Sequence, residues 1–249
     1  MYAARVGALA SLRVAAAIAR VTALTLVGAA RGKLTRADID EHTHWFAQEV
    51  IAALEVRLTS EGAERVPPGR AYVYMSNHQS HMDIPMLYAT LPSRTIRMLA
   101  KKELFKIPLW GAGMRAAEFI EVDRGNHAAA VASVDEAARL IRDGVSIWVA
   151  PEGTRARDGK IGALKKGGFH LALATGTPIV PVAVQGTLHI LPRGGKLPKM
   201  GQAVHVTIGA PIAVLGRDLP GLMTEVREFL IREVEDRSPS EPADAGRRG

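Results

Sequence analysis

The chain has no cysteine. Disulfides, thiolate metal ligands and a thiol nucleophile are therefore excluded. Aromatic residues are only 5% of its 249 residues, and no basic stretch is interleaved with them. The stacking platforms that hold single-stranded nucleic acid are missing. Residues 1–33 contain no acidic side chain, and their longest uncharged run, residues 21–30, is well short of the ~20 residues a bilayer span requires. Arg13 and Arg20 also interrupt any apolar core of a secretory signal.

What is present is a 47% hydrophobic composition, enough for one large core, and a net charge of +7. That excess favours an anionic partner, a phospholipid surface or a phosphorylated small molecule ahead of nucleic acid. Arg5, Arg13, Arg20 and Arg31 fall on one narrow stripe of an otherwise apolar helix. The pattern suits an interfacial helix whose arginines reach toward anionic headgroups while the apolar face enters the acyl boundary. It also fits an organelle transit peptide or a helix packed on the protein's own core. Thr35 and Asp38 form a capping box with Asp in place of Glu. Ile39, Phe46, Val50 and Leu54 then mark one face of a second helix.

Alternation predicts a strand from Leu54 to residue 59, and apolar runs predict further strands at 71–75, 95–100, 119–123, 145–150, 179–184 and 203–208. Helices are predicted up to residue 88, over 128–141 with Asn126 as cap, up to residue 174, and from Asp218 to residue 234. Trp110-Gly111-Ala112-Gly113 lacks a dinucleotide fingerprint and reads as a turn. The expected fold is a layered α/β domain with a central mixed, largely parallel sheet flanked by helices. Three parts are expected: a membrane-associating helical pair at 1–53, the α/β domain at 54–236 and a Pro-, Ser- and Gly-rich disordered tail at 237–249.

Two of the strands deliver the chain abruptly into polar loops. After residue 75 comes Asn77-His78-Gln79-Ser80-His81-Met82-Asp83. Histidine takes and returns protons near neutral pH. A carboxylate five positions on reaches back to the far ring nitrogen when the chain turns, and Asp83-Ile84-Pro85 is a helix-start signal for such a turn. His78 and Asp83 are thus the candidate base and its orienting carboxylate. His81 makes an H-x-x-H pair with His78, but no Cys or acidic zinc-binding pattern accompanies it, so no metal site is expected. The second loop is Pro151-Glu152-Gly153-Thr154-Arg155. In open α/β sheets, ligands sit beyond the carboxyl ends of strands.

Taken in order, NHQSHMD, then FIEVDR at residues 119–124, PEGTR at 151–155 and PIVPVAV at 178–184 resemble the motifs of the glycerolipid acyltransferases. They look most like those of the lysophosphatidate acyltransferases, over roughly residues 56–208. The resemblance implies acyl transfer from coenzyme A or acyl carrier protein to the sn-2 hydroxyl of 1-acylglycerol 3-phosphate, giving phosphatidate. His78 and Asp83 would be catalytic. Arg124, Glu152, Gly153, Thr154 and Arg155 would bind the acceptor, and Lys101, Lys102 and Pro181 would lie near the acyl donor or its tunnel. Backbone amides from Asn77 to Ser80 are candidate oxyanion donors. No cofactor is expected beyond the acyl thioester as co-substrate. The expected location is peripheral or monotopic on the cytoplasmic membrane face. Another lysolipid or glycerol 3-phosphate as acceptor, or lipid binding without turnover, are the alternatives.

Overall fold

A computed structural model describes residues 2–123, 125 and 127–236. Helices α1 (Tyr2–Ala30) and α2 (Arg36–Ala53) come first, and α2 is opened by the Thr35/Asp38 capping box. The sheet strands are β1 (Arg57–Glu61), β2 (Val73–Ser76), β3 (Ile96–Lys101), β4 (Ile120–Val122), β5 (Ser146–Val149), β6 (Ile179–Gln185) and β7 (Ala203–Ile208). They lie in the order β1-β7-β6-β2-β5-β3-β4. Every neighbouring pair is parallel except β6 with β7. This is the mixed, largely parallel sheet the strand–helix alternation predicts.

The remaining helices are α3 (Asp83–Thr90), α4 (Lys102–Phe105), α5 (Trp110–Ala116), α6 (His127–Arg142), α7 (Gly167–Thr175), α8 (Thr187–Ile190) and α9 (Leu219–Ile231). Alternate residues of β2 face opposite ways. Tyr72 and Tyr74 pack with Val50 of α2 and Met86 of α3, while Val73 and Met75 pack with Leu140, Phe169 and Val226 of α6, α7 and α9. Helices therefore cover both faces, which explains why β2, β5 and β6 read as continuous apolar runs.

Several local expectations are corrected. Leu54 ends α2 rather than beginning β1, because it is the last member of the Val50–Leu54 face and is fully buried with it. Asp83 is the first residue of α3, where the sequence signal places a helix start, and Met82 precedes it. Trp110–Gly113 begins a helix, not a turn. Its glycines permit close approach: a Cβ on Gly111 would lie 2.0 Å from the Phe105 carbonyl oxygen, and one on Gly113 would lie 3.2 Å from Thr22 of α1. The cap expected at Asn126 and the tail at 237–249 lie outside the described residues.

Helix α1 extends about 43 Å at ~1.5 Å per residue, and residues 7–30 are long and apolar enough to cross a membrane by length and composition. It nevertheless has one protein-facing side, where Ala10, Ala17 and Thr25 are buried against the body of the fold. Arg13 pairs with Glu49 of α2 at 2.8 Å, and Arg20 lies 4.3 Å over the Trp45 ring. Leu9, Leu12, Leu24 and Val27 face outward.

Candidate functional site

Strands β6, β2 and β5 are adjacent and parallel, so the segments leaving their carboxyl ends meet at one edge of the sheet. The segment after β2 is fixed first. The side-chain amide of Asn77 donates to the Val184 carbonyl at 2.8 Å, and the Val184 amide donates back to Asn77 at 2.7 Å. Asn77 thereby continues the β2–β6 pairing through its side chain, and the main chain is released to turn.

His78 then stands at the opening with 17% of its side chain exposed, and its Nδ1 lies 2.7 Å from Oδ2 of the fully buried Asp83. The same oxygen accepts from the amides of Gln79 at 2.8 Å and Ser80 at 3.1 Å. Its partner Oδ1 accepts from the Thr187 hydroxyl, which is also fully buried. With Nδ1 turned to a carboxylate, the ring carries its proton there and presents Nε2 as the acceptor. The Trp148 ring stands edge-on to the imidazole, 6.0 Å between centroids, and is itself held by donation from Nε1 to Ser76 Oγ at 2.9 Å. The imidazole is therefore oriented by three elements, of which only α3 follows it closely in sequence.

The loop after β5 is sewn to this segment. The Ala156 amide donates to the His78 carbonyl at 2.7 Å. Glu152 is buried, and its two oxygens accept from the amides of His78 and Gly162, each at 2.9 Å. Burial pushes its carboxyl above the ordinary range, and the two amide bonds oppose that rise. Glu152 thus joins two loops through backbone amides. Gly153 sits at φ +73°, the left-handed region glycine adopts without penalty, and its amide closes a turn onto the Ala150 carbonyl. Thr154 is exposed and Arg155 is half-buried. Burial, and then the nearby charge of Arg193, hold the Arg155 guanidinium below its usual value, while Asp83 pulls it back up. His81 is likewise held low by burial, followed by Arg155 and His78.

His78, Asp83, Glu152, Gly153, Thr154 and Arg155 are thus gathered at one edge. Arg124 lies outside the described residues. Lys101 is exposed and Lys102 is half-buried, with its Nζ 2.5 Å from Asp123 Oδ2 at the start of α4. Pro181 is buried in β6, an interior strand. Its missing amide is tolerated because the register with the chain after β7 slips by one residue between the Val182–Ile208 and Ile179–Ile212 pairs. The amides of His78, Gln79 and Ser80 are committed to Glu152 and Asp83, so they are not the free oxyanion donors expected from the sequence. Two residues escaped the sequence reading, Thr187 and Arg193. Both lie beyond the last recognised motif, and only a hydroxyl and a cation following a strand end marked them.

A histidine–carboxylate pair thus stands at the end of a central parallel strand of an α/β fold, with an arginine on the next loop. The family model described as Acyltransferase matches residues 57–185, and the chain belongs to that family. The chloroplastic 1-acyl-sn-glycerol-3-phosphate acyltransferase LPAT1 of Arabidopsis thaliana is 32% identical over 174 residues, 68% of this chain and 48% of that protein. The human 1-acyl-sn-glycerol-3-phosphate acyltransferase alpha is 32% identical over 180 residues, 71% of this chain and 63% of that protein. The chain spans about half to just under two thirds of these relatives' length. Among solved structures, the 1-acyl-sn-glycerophosphate acyltransferase PlsC from Thermotoga maritima superposes with a TM-score of 0.81 at 27% identity. That match covers 96% of this chain and 98% of the other.

Proposed function

We propose that this protein transfers a fatty acyl group from a coenzyme A or acyl carrier protein thioester to the sn-2 hydroxyl of 1-acylglycerol 3-phosphate. The observation that carries this reading is the 2.7 Å contact between His78 Nδ1 and the buried Asp83, on a segment to which the loop carrying Arg155 is bonded through the Ala156 amide. A hydroxyl is a poor nucleophile until it loses its proton. Nε2 of His78 takes that proton as the oxygen attacks the thioester carbonyl, and Asp83 stabilises the imidazolium. Collapse of the tetrahedral intermediate breaks the C–S bond, the imidazolium returns the proton to the leaving thiolate, and phosphatidate and free thiol result. The arginine matches the phosphate monoester, because a planar guanidinium fork binds such oxygens in pairs. No resident cofactor enters the chemistry. The apolar outer side of α1 seats the protein peripherally on the cytoplasmic membrane face, where its lipid acceptor lies.

The test is thiol release by the purified protein in detergent with acyl-CoA and a panel of acceptors. Turnover is expected with 1-acylglycerol 3-phosphate, and His78→Ala lowers it by about 10²–10⁴-fold, the usual contribution of a general base. Absence of thiol release with every phosphorylated acceptor contradicts the reading. Equal rates for wild type and His78→Ala contradict the mechanism.

A further inference from the structure

The chain leaving β6 forms a wall of the site that no recognised motif covers. Thr187 bonds Asp83, and just past the end of α8 the Leu191 carbonyl accepts from Ser80 Oγ at 2.7 Å. The Lys199 amide then donates to the Ile190 carbonyl at 2.8 Å, closing residues 191–198 into a loop. On that loop stands Arg193, whose Nη1 lies 3.4 Å from both Thr154 Oγ1 and the Arg155 carbonyl oxygen. The contact brings a second guanidinium beside Arg155.

Two like charges side by side repel unless something negative lies between them. Among the described residues, neither Arg155 nor Arg193 has a carboxylate at ion-pair distance. Burial first, and the charge of Arg193 second, hold the Arg155 guanidinium below its usual value. Such a pair is most stable with a dianion in it, and forked cations on two sides suit a terminal phosphate.

The same loop fixes where the anion comes from. Its far end lies against the start of α1, since a Cβ on Gly7 would be 3.2 Å from the Pro198 carbonyl oxygen. Leu197 beside it is exposed, as are Leu9 and Leu12 on α1. Arg193 therefore sits between the imidazole's opening and the apolar outer side of α1. A lysolipid with its chain in the membrane and its hydroxyl at His78 holds its headgroup in that interval.

We propose that Arg193 is the second cation of the acceptor site and closes with Arg155 on the acceptor's phosphate monoester, so that the loop after β6 selects the headgroup. This rests on the function proposed above. Arg193 is exposed, so its replacement leaves the fold intact.

The experiment compares wild type, Arg193→Gln and Arg193→Lys in neutral detergent micelles. It reads lysophosphatidate binding by calorimetry and KM for acceptor and for acyl-CoA separately. Arg193→Gln is expected to weaken binding and raise the acceptor KM by about tenfold or more, the scale of one lost hydrogen bond to a charged group. The acyl-CoA KM stays the same, a monoacylglycerol without phosphate is handled equally by both proteins, and Lys recovers part of the loss. An unchanged acceptor KM and affinity overturn the inference, as does a rise confined to acyl-CoA. Loss only of adhesion to phosphatidylglycerol vesicles also overturns it, since the arginine would then hold bilayer phosphate instead. If wild type binds lysophosphatidate in an Arg193-dependent way but never turns it over, the inference stands and the proposed function falls. If turnover is indifferent to Arg193, the inference falls and the proposed function stands.

Discussion

Asp83 receives four hydrogen bonds: His78 Nδ1, two backbone amides and the Thr187 hydroxyl. The first three come from within five residues, and the fourth comes from 104 positions away. Thr187 touches no reacting atom, so it is a positioning residue. Its loss frees the carboxylate to rotate away from the imidazole. Thr187→Val, of similar shape but without the donor, is expected to lower kcat about tenfold or more while leaving the acceptor KM within a factor of two, and Thr187→Ser is expected to restore most of the rate. That scale follows from a hydrogen bond to a buried charge at ~1.5–3 kcal/mol. Steady-state kinetics of the three proteins checks it, and equal losses for Val and Ser contradict it. The contrast also shows what was legible. His78 and Asp83 were readable because their spacing and a helix-start signal lie in one short stretch. Thr187 was not, because its contact exists only once β6 is placed beside β2. Gly186 before it is at φ +94°, and a Cβ there would lie 2.2 Å from the Ala203 carbonyl oxygen. Nothing in the sequence distinguishes that glycine from an ordinary turn glycine.

The helices and strands themselves were largely visible, because their apolar periodicities are long and clean. The exceptions are elements whose residues are chosen by a neighbour: α5, whose glycines answer to Phe105 and α1, and α8, too short to show a period. How α2 is fastened was also hidden. Arg97 at the start of β3 is fully buried and donates to Asp40 of α2 at 2.7 Å, and the Thr95 hydroxyl donates to the second carboxylate oxygen at 2.5 Å. Asp40 reads as one of several polar residues on an amphipathic helix, yet it holds the helix to the sheet. Removing one partner of a buried pair leaves an uncompensated charge, at a cost of about 3–5 kcal/mol. Asp40→Ala is therefore expected to destabilise the protein by that amount in denaturant unfolding, and the double change Asp40→Leu with Arg97→Met to recover most of it. A single variant as stable as wild type argues that the pair contributes nothing to docking α2.

At the scale of the whole molecule, strand order assembles the candidate site, since β6, β2 and β5 must be neighbours to bring His78, Thr187 and Arg155 to one edge of the sheet. The alternation of elements predicts a largely parallel sheet but not which strands adjoin, and the reversed β7 joining β1 to the sheet was equally unreadable. The orientation of α1 shows the same limit. Its arginines were expected to reach outward for headgroups; Arg13 and Arg20 touch Glu49 and Trp45 of α2 yet stay exposed, as Arg31 does, beside outward-facing leucines. The membrane seating proposed above then draws on these leucines as well as on charge. Leu9 and Leu12 are 62% and 66% exposed, and transferring each from water into the acyl boundary contributes at most about 1.5–3 kcal/mol. Leu9→Gln with Leu12→Gln is expected to reduce liposome flotation at least tenfold. Acyl transfer in detergent micelles should persist, because neither leucine contacts the catalytic pair. Raising the salt should weaken flotation of wild type far less than the double change does, as screening acts on charge and not on buried apolar area. If salt alone releases the protein and the leucine changes do not, the membrane is held by the basic surface and α1 merely covers the fold.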